Sequence, residues 1–222
     1  MKILALEFSS SHRSVAVAEA SSKGAAVLAT AQESGGRETN PLRMIETALA
    51  QAKLPRESIE CLAVGVGPGS YTGIRVAISV AQGWQLAREV KLLAISSAEC
   101  LAHDAWQQGL SDKVHIGIDA QRNEFYLAAY NLDSAGAKVV ERLHLVGAAD
   151  VERLISSGQK VLGPDLSGFF PQAHDLWPQA ATVAILAAGR SEFLRGEQLE
   201  PIYLREAAFL KAPPPRILPG EP

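Results

Sequence analysis

The order of predicted elements repeats once along the chain, and this repeat limits the folds that the sequence can adopt. Apolar runs with period two predict strands, and runs with helical spacing predict helices. Each half begins with three strands and continues with a helix, a strand and a helix. The first half has predicted strands at 3–8, 15–20, 25–33, 60–67 and 90–96, and helices at 40–52, 73–89 and 97–109. The second half has predicted strands at 114–120, 124–132, 138–146 and 160–166, and helices at 150–158 and 182–196.

Two copies of a βββ-α-β-α unit predict an α/β protein with two duplicated lobes built on mixed sheets. This order of elements resembles the ribonuclease H-like lobe that actin-like ATPases and sugar kinases (the ASKHA fold) use twice. We place an N-terminal lobe, with the helices expected to dimerise, at 1–108 and a C-terminal lobe at 109–210. The remaining residues, 211–222, are Pro-rich and predict a tail without regular structure.

Composition excludes several classes of protein. The chain of 222 residues is 47% hydrophobic, which is enough for a substantial core. A net charge of −3 gives no overall basic field to hold a nucleic acid by counterion release. Cys61 and Cys100 stand far apart without a C-x-x-C pattern, which argues against a zinc site and favours a reducing compartment. The apolar run before Glu7 is far shorter than the roughly 20 residues that span a bilayer, so we expect a cytoplasmic protein without membrane contact.

The stretch GVGPGSYTG at 65–73 joins a predicted strand to a predicted helix. A P-loop needs a lysine after its last glycine, but Ile74 follows Gly73. A dinucleotide fingerprint needs a third glycine where Ser70 or Thr72 stands. Two interpretations remain: a tight turn that allows close packing, or a weak anion or nucleotide contact at the start of the helix. That contact would use Gly69, Ser70, Thr72 and Gly73.

The helix after this stretch has two apolar faces. One face carries Ile74, Ala77, Ile78, Ala81 and Trp84. The other carries Val76, Val80, Gly83 and Ala87. A single sheet can cover only one of them. The second face must therefore be covered by the predicted helix at 40–52 or by a partner protein.

Catalytic groups are sparse. Glu7 and Asp119 end the first strands of the two lobes, where actin-like ATPases place the acids that organise a metal ion and phosphates. An actin-like ATPase or small-molecule kinase using these two acids is the alternative function. However, the turns after both strands lack glycine, and Gln121, Arg122 and Asn123 predict a plain hairpin turn.

Metal-ligating and nucleophilic patterns are also missing from the sequence. The five histidines form neither H-x-x-x-H nor H-E-x-x-H, and Cys100 and His103 have no predicted orienting acid. We therefore expect no metal site, no resident cofactor and no enzymatic activity.

Five segments resemble the TsaB (YeaZ) family of partner proteins in bacterial tRNA threonylcarbamoyladenosine biosynthesis, and they cover nearly the whole chain. The most specific part is GPGSYTGIR at 67–75. The five segments lie at 3–19, 65–87, 94–102, 118–130 and 201–206. The resemblance implies an actin-like fold that has lost its own active site.

The resemblance also implies partners. Such a protein binds the catalytic paralogue TsaD and, with the ATPase TsaE, supports N6-threonylcarbamoylation of adenosine 37 in tRNAs that read codons beginning with A. ATP and metal are then expected on the partners, tRNA contact is indirect, and the chain forms a homodimer when alone.

The resemblance places the partner interface on the first two helices. The positions carried over are Leu42, Ile45, Glu46 and Leu49 from the first helix, and Tyr71, Thr72, Arg75, Val76, Ser79, Val80 and Gly83 from the second. This sequence departs from the usual pattern of the family at two places. Glu7 replaces the usual aspartate, and ETN at 38–40 replaces a His-Ser pair before the first helix.

Overall fold

The structure is a computed structural model that describes residues 1–22, 24–34 and 39–204. The predicted tail at 211–222 lies outside the described residues. The strands are β1 (Lys2–Glu7), β2 (His12–Ser21), β3 (Gly24–Ser34), β4 (Cys61–Gly65), β5 (Lys91–Ile95), β6 (Asp112–Asp119), β7 (Glu124–Asp133), β8 (Gly136–Gly147), β9 (Lys160–Gly163) and β10 (His174–Asp175). The helices are α1 (Pro41–Ala52), α2 (Tyr71–Ala87), α3 (Ser97–Gln107), α4 (Ala148–Ser156) and α5 (Ala180–Ala188).

The strands form two five-stranded sheets with the same topology. The first sheet has the order β3-β2-β1-β4-β5, and the second has the matching order β8-β7-β6-β9-β10. In each sheet the first three strands are antiparallel and the last two join them in parallel. The predicted fold of two duplicated ribonuclease H-like lobes is confirmed.

Helices cover both faces of the two sheets. Helices α1 and α2 pack on one face of the first sheet, against residues such as Leu4 and Leu62. The opposite face presents Ile3 and Ala63 to α5, which lies later in the chain than the second sheet. Helix α3 packs on one face of the second sheet, and α4 packs on the opposite face. Helices α3 and α5 contact each other between the sheets, so each sheet is covered by one helix from outside its own half of the chain.

Local capping residues explain where the first two helices begin. Asn40 caps α1 by accepting the N–H of Arg43 at 3.1 Å, and Pro41 occupies the first helical position; both residue types are common signals of a helix start. Ser70 caps α2 by accepting the N–H of Gly73 at 3.3 Å. Helix α2 therefore begins at Tyr71, two residues before its predicted start.

The second lobe differs from the prediction in three places. Helix α4 begins at Ala148, two residues before its predicted start, and the carboxylate of its third residue, Asp150, accepts the N–H of Gly147 at 3.1 Å. The short polar strand β10 has no apolar alternation that could predict it. Helix α5 ends at Ala188 instead of continuing to 196, because the chain then turns away and Leu194 pairs with Leu92 of β5. We call residues 190–204 the C-terminal strap.

No helix within the described ranges combines the length and the apolar character that crossing a bilayer would require.

Candidate functional site

The glycine-rich turn brings the start of α2 against the end of β1. A β-carbon on Gly69 would overlap the carbonyl oxygen of Ser9, and one on Gly73 would overlap that of Phe8. The N–H of Ser70 donates to the Ser9 carbonyl at 2.7 Å. These contacts require residues without side chains, so close packing explains both glycines. The interpretation as a packed turn is supported.

Few backbone donors of this turn remain for an anion. The N–H of Ser70 is already bonded to the Ser9 carbonyl, and the N–H of Gly73 to the Ser70 hydroxyl. Tyr71 and Thr72 supply the first two amides of α2, which have no intrahelical acceptor. Gly69, Ser70 and Thr72 line a cleft between the two lobes, whereas Gly73 is buried behind them. The weak anion contact therefore stays a prediction, reduced to the three residues that reach the cleft.

The residues predicted at a partner interface separate into buried and exposed groups. Ile45 and Leu49 are 3% and 7% exposed and fill the core of the first lobe, so they are not available on the surface of this chain. Leu42 is 62% exposed at the start of α1. Glu46 is exposed one turn later. The seven positions predicted on α2 are all exposed or half-buried, and we call them the α2 face: Tyr71, Thr72, Arg75, Val76, Ser79, Val80 and Gly83.

The second apolar side of α2 is only partly covered within the chain. Val76 and Val80 are half-buried against the core of the first lobe. Gly83 and Ala87 are exposed on the same side. The chain itself thus covers part of this side and leaves a strip of small residues open.

An aromatic and cationic cluster stands at the start of the α2 face. The guanidinium carbon of Arg75 lies 3.8 Å from the ring centroid of Tyr71 and 5.9 Å from that of Tyr203. The two tyrosine rings are 5.7 Å apart, and they are 55% and 42% exposed. Tyr203 belongs to the C-terminal strap and is a residue that our sequence reasoning missed. No local pattern could place it there, because the contact joins residues more than a hundred positions apart.

The strap is fixed to α2 by side-chain amides. Gln85 accepts the N–H of Gly196 at 2.7 Å, and Gln82 donates to the carbonyl of Gly196 at 2.8 Å. Further on, the N–H of Ile202 donates to the carbonyl of Val66 at 2.9 Å. The strap therefore runs along α2, and this path places Tyr203 beside Tyr71 and Arg75.

The two predicted acids do not face a common cavity. Glu7 is fully buried, and its carboxylate accepts the N–H of Ser9 at 2.7 Å and the hydroxyl of Ser97 at 2.9 Å. Burial raises the pKa of Glu7 above its ordinary value. Asp119 does line the cleft, but both of its oxygens accept hydrogen bonds from Gln121, at 2.8 and 2.7 Å.

A metal ion shared by these two acids does not fit this arrangement, because the carboxylate of Glu7 is sealed from the cleft. In the part of the chain that the structure describes, no cluster of three or more His, Cys, Asp or Glu residues could hold a metal ion. The turn of Gln121, Arg122 and Asn123 is the predicted hairpin turn, with φ values of 65°, 59° and 64°.

Cys100 is a buried contact residue between α3 and α5. Its thiol approaches the carbonyl of Gln179 at 3.4 Å and the carboxylate of Asp104 at 3.8 Å. Burial raises the pKa of the Cys100 thiol well above its ordinary value, which disfavours the thiolate that a nucleophile needs. Burial also raises the pKa of Asp104, to about 6, while the Thr182 hydroxyl donates to this carboxylate.

Comparison with known proteins connects this geometry with one family. The family model described as "TsaD: tRNA N6-adenosine threonylcarbamoyltransferase" matches residues 38–162. The "tRNA threonylcarbamoyladenosine biosynthesis protein TsaB" of Escherichia coli (strain K12) is 31% identical, over 78% of this chain and 82% of its own length. The chain belongs to the TsaB family.

Other members of the TsaB family agree in length and fold. The TsaB of Buchnera aphidicola subsp. Schizaphis graminum is 26% identical, over 82% of this chain and 90% of its own. The solved structure of YeaZ from Pseudomonas aeruginosa matches with a TM-score of 0.74 and 25% identity, over 91% of this chain and 99% of that one. The family resemblance predicted from the sequence is confirmed.

Proposed function

We propose that this TsaB-family chain acts in tRNA threonylcarbamoyladenosine biosynthesis as a non-catalytic partner protein. In this proposal it binds a TsaD-like threonylcarbamoyltransferase and, together with a TsaE-like ATPase, supports N6-threonylcarbamoylation of adenosine 37 in tRNAs that read codons beginning with A. The observation that carries the proposal is the α2 face, which is half apolar and incompletely covered in a chain whose relatives bear the name TsaB.

The chemistry of the α2 face suits a protein partner. Val76 and Val80 offer apolar area beside the small residues Ser79 and Gly83, which allow a second helix to approach closely. The arginine and two tyrosines at one end are residue types that dominate binding energy at protein interfaces. The same face in two copies would make a two-fold contact, which accounts for a homodimer in the absence of the TsaD-like partner.

Two observations support a role without catalysis: the Glu7 carboxylate is sealed from the cleft, and the Cys100 thiol is buried. The negative net charge separately disfavours direct binding of tRNA. In this proposal ATP and the catalytic metal bind to the partner proteins, and this chain supplies the surface that assembles them.

The test is the variant Val80→Arg, with Glu152→Arg on the exposed surface of α4 as the matched control. An arginine buried without a partner at the contact should weaken binding by about 3–5 kcal/mol, so that co-purification with the TsaD-like protein is lost. Glu152→Arg should co-purify as the wild type does. Circular dichroism should show that both variants fold.

Retention of the TsaD-like partner by Val80→Arg at the wild-type yield would refute the proposed contact. Light scattering on the isolated chain provides a second reading. It should report a dimer for the wild type and for Glu152→Arg, and a monomer for Val80→Arg.

A further inference from the structure

A histidine is buried in the second sheet without a hydrogen-bond partner. His115 lies on β6 and is 2% exposed. Neither of its ring nitrogens, Nδ1 and Nε2, has a hydrogen-bond partner among the residues that the structure describes. Buried polar groups in native proteins almost always have a partner, so the position of this ring requires an explanation other than local hydrogen bonding.

The side chain of His115 lies on the face of the sheet that α4 covers. Its chain neighbours Val114 and Ile116 belong to the apolar cluster under α3. Because side chains alternate along a strand, His115 is on the opposite face. Its register partner on β9, Val161, belongs to the same apolar cluster as Val151 of α4. His115 is therefore part of the surface against which α4 packs.

The charged groups around His115 do not compensate for its burial. Burial is the largest influence and lowers the pKa of His115 below its ordinary value of 6.5. Lys113, two residues earlier on β6, also opposes a positive charge on the ring, whereas Glu141 of β8 favours it. The carboxylate of Glu141 is shared with His144 at 3.5 Å. The ring of His115 is therefore neutral in the folded protein at neutral pH.

The remaining neighbours of the ring are uncharged. Its register partners are Ala129 on β7 and Val161 on β9. Gln159 follows the end of α4, and its side-chain amide lies near enough to favour a proton on the ring without a hydrogen bond to it. A proton added to His115 would create a buried cation, and Glu141, the acid that favours this cation, already contacts another histidine.

Helix α4 depends on its packing against this face. It has only nine residues, and a helix of this length is not stable in isolation. Its charged side chains do not reach His115: Glu152 and Arg153 are exposed, and Asp150 bonds to Arg153 and to the N–H of Gly147 at the start of the helix. The residues of α4 that belong to the apolar cluster are Val151, Leu154 and Ile155.

We propose that His115 is an acid-sensitive support for α4: when its ring takes up a proton, α4 and the residues up to Gln159 loosen from the second sheet while the first lobe keeps its fold. Loosening lets water reach the ring, so the open form binds the proton more tightly than the closed form. The packing of α4 is then fully stable above about pH 6.5 and weakens as the pH falls towards the lowered pKa of the closed form. Because one proton is taken up, the population of the open form should rise by at most about tenfold for each pH unit.

The test is hydrogen exchange of the full-length chain at several pH values on both sides of 6.5, with each rate divided by the intrinsic exchange rate at that pH. The amides of residues 152–156 should lose protection as the pH falls, while those of β1 and β4 keep theirs. His115→Leu should remove this pH dependence, because leucine cannot take up a proton. His115→Asn cannot take one up either and provides the same reading if the leucine variant does not fold. His174→Leu, an exposed histidine of β10 in the same lobe, is the matched control and should respond as the wild type does.

Proton NMR of the histidine rings provides a second reading. The ring of His115 should titrate at a lower pH in the folded protein than in the urea-unfolded chain. His144, Asp104 and the other titrating groups are present in both the wild type and His115→Leu, so their contributions largely cancel in the exchange comparison.

Three results would overturn this assignment. The first is protection of α4 that does not change with pH, and the second is an equal loss of protection in His115→Leu and the wild type. The third is an equal loss in β1 and β4, which would show that acid destabilises the whole chain rather than α4. His115 lies outside the α2 face, so failure of this proposal would leave the partner function untouched.

Discussion

The carboxylate of Glu7 occupies the space that a side chain on Gly65 would need. A β-carbon built on Gly65 would overlap Oε2 of Glu7. The two residues end the neighbouring parallel strands β1 and β4. Hydrogen bonds from Ser9 and Ser97 fix the carboxylate in this position. The first glycine of the glycine-rich stretch is therefore explained by a buried acid rather than by a ligand.

Gly65→Ala should destabilise the protein by about 1–3 kcal/mol, because the new methyl group overpacks a site whose neighbour is held by two hydrogen bonds. Urea denaturation measures the free energy of unfolding. Gly83→Ala is the control, since a β-carbon there meets nothing within 4 Å. Gly83 is an exposed glycine inside a helix, so Gly83→Ala should raise the free energy of unfolding by about 0.5–1 kcal/mol. Equal effects at the two positions would contradict the packing explanation.

Asp104 should make stability depend on pH. Its pKa is raised from 3.8 to about 6 in the folded protein, so the folded state binds the proton more tightly than the unfolded state. The resulting stabilisation is fully present below about pH 4 and is lost as the pH rises through 6, a change of roughly 3 kcal/mol.

The variant Asp104→Asn tests this titration, since it keeps an acceptor for Thr182 but cannot ionise. Relative to Asp104→Asn, the wild type should lose this stability between pH 4 and pH 7 in urea denaturation. The buried Glu7 is present in both proteins, so its own titration largely cancels in the comparison. A difference between the two proteins that does not vary with pH would show that Asp104 keeps an ordinary pKa.

Two leucines of α1 should separate folding from partner binding. Leu49 is 7% exposed, and Leu49→Ala should cost about 2–5 kcal/mol of unfolding free energy. Leu42 is 62% exposed, so Leu42→Ala should change that free energy by less than about 0.5 kcal/mol. Under the proposed function, Leu42→Ala should nevertheless reduce co-purification with the TsaD-like partner. If Leu42→Ala co-purifies with the TsaD-like partner at the wild-type yield, Leu42 and the exposed start of α1 are not part of the contact.

Gln85→Ala should loosen the C-terminal strap, because Gly196 loses the acceptor of its N–H. Hydrogen exchange at the amides of Leu194 and Gly196 should become about fivefold faster, corresponding to roughly 1 kcal/mol for one hydrogen bond. Amides of β6 and β7 should keep their protection. Gln107→Ala, on the exposed end of α3, is the control and should leave the exchange of the strap unchanged. Unaltered exchange in Gln85→Ala would mean that the strap is held by other contacts.

The parts of the fold that depend on local signals could be predicted from the sequence. Asn40 followed by Pro41 defined the start of α1, and the alternating runs defined both meanders. The end of α5 could not be predicted, because it depends on a backbone pairing between Leu194 and the distant Leu92. The apolar residues Phe193 and Leu194 extended the predicted helix beyond Ala188 and concealed this long-range contact.

The candidate site was less predictable than the fold, for a related reason. Helical spacing placed Ile45 and Leu49 on an apolar side of α1, but it could not reveal that the sheet of the same lobe would bury that side. Glu7 was located correctly at the end of β1, while its burial depends on the glycine of another strand. Arg13 and Arg122 line the same cleft only because the two lobes face each other across it.

The exchange of helices between the lobes has a consequence for how the molecule can come apart. The first sheet relies on α5 for one of its faces, and the second sheet relies on α3. A fragment cut between the repeats would therefore expose an uncovered apolar sheet instead of forming an independent unit. We expect the two lobes to unfold together in one cooperative transition. A destabilising substitution in either half should then lower the stability of the whole chain.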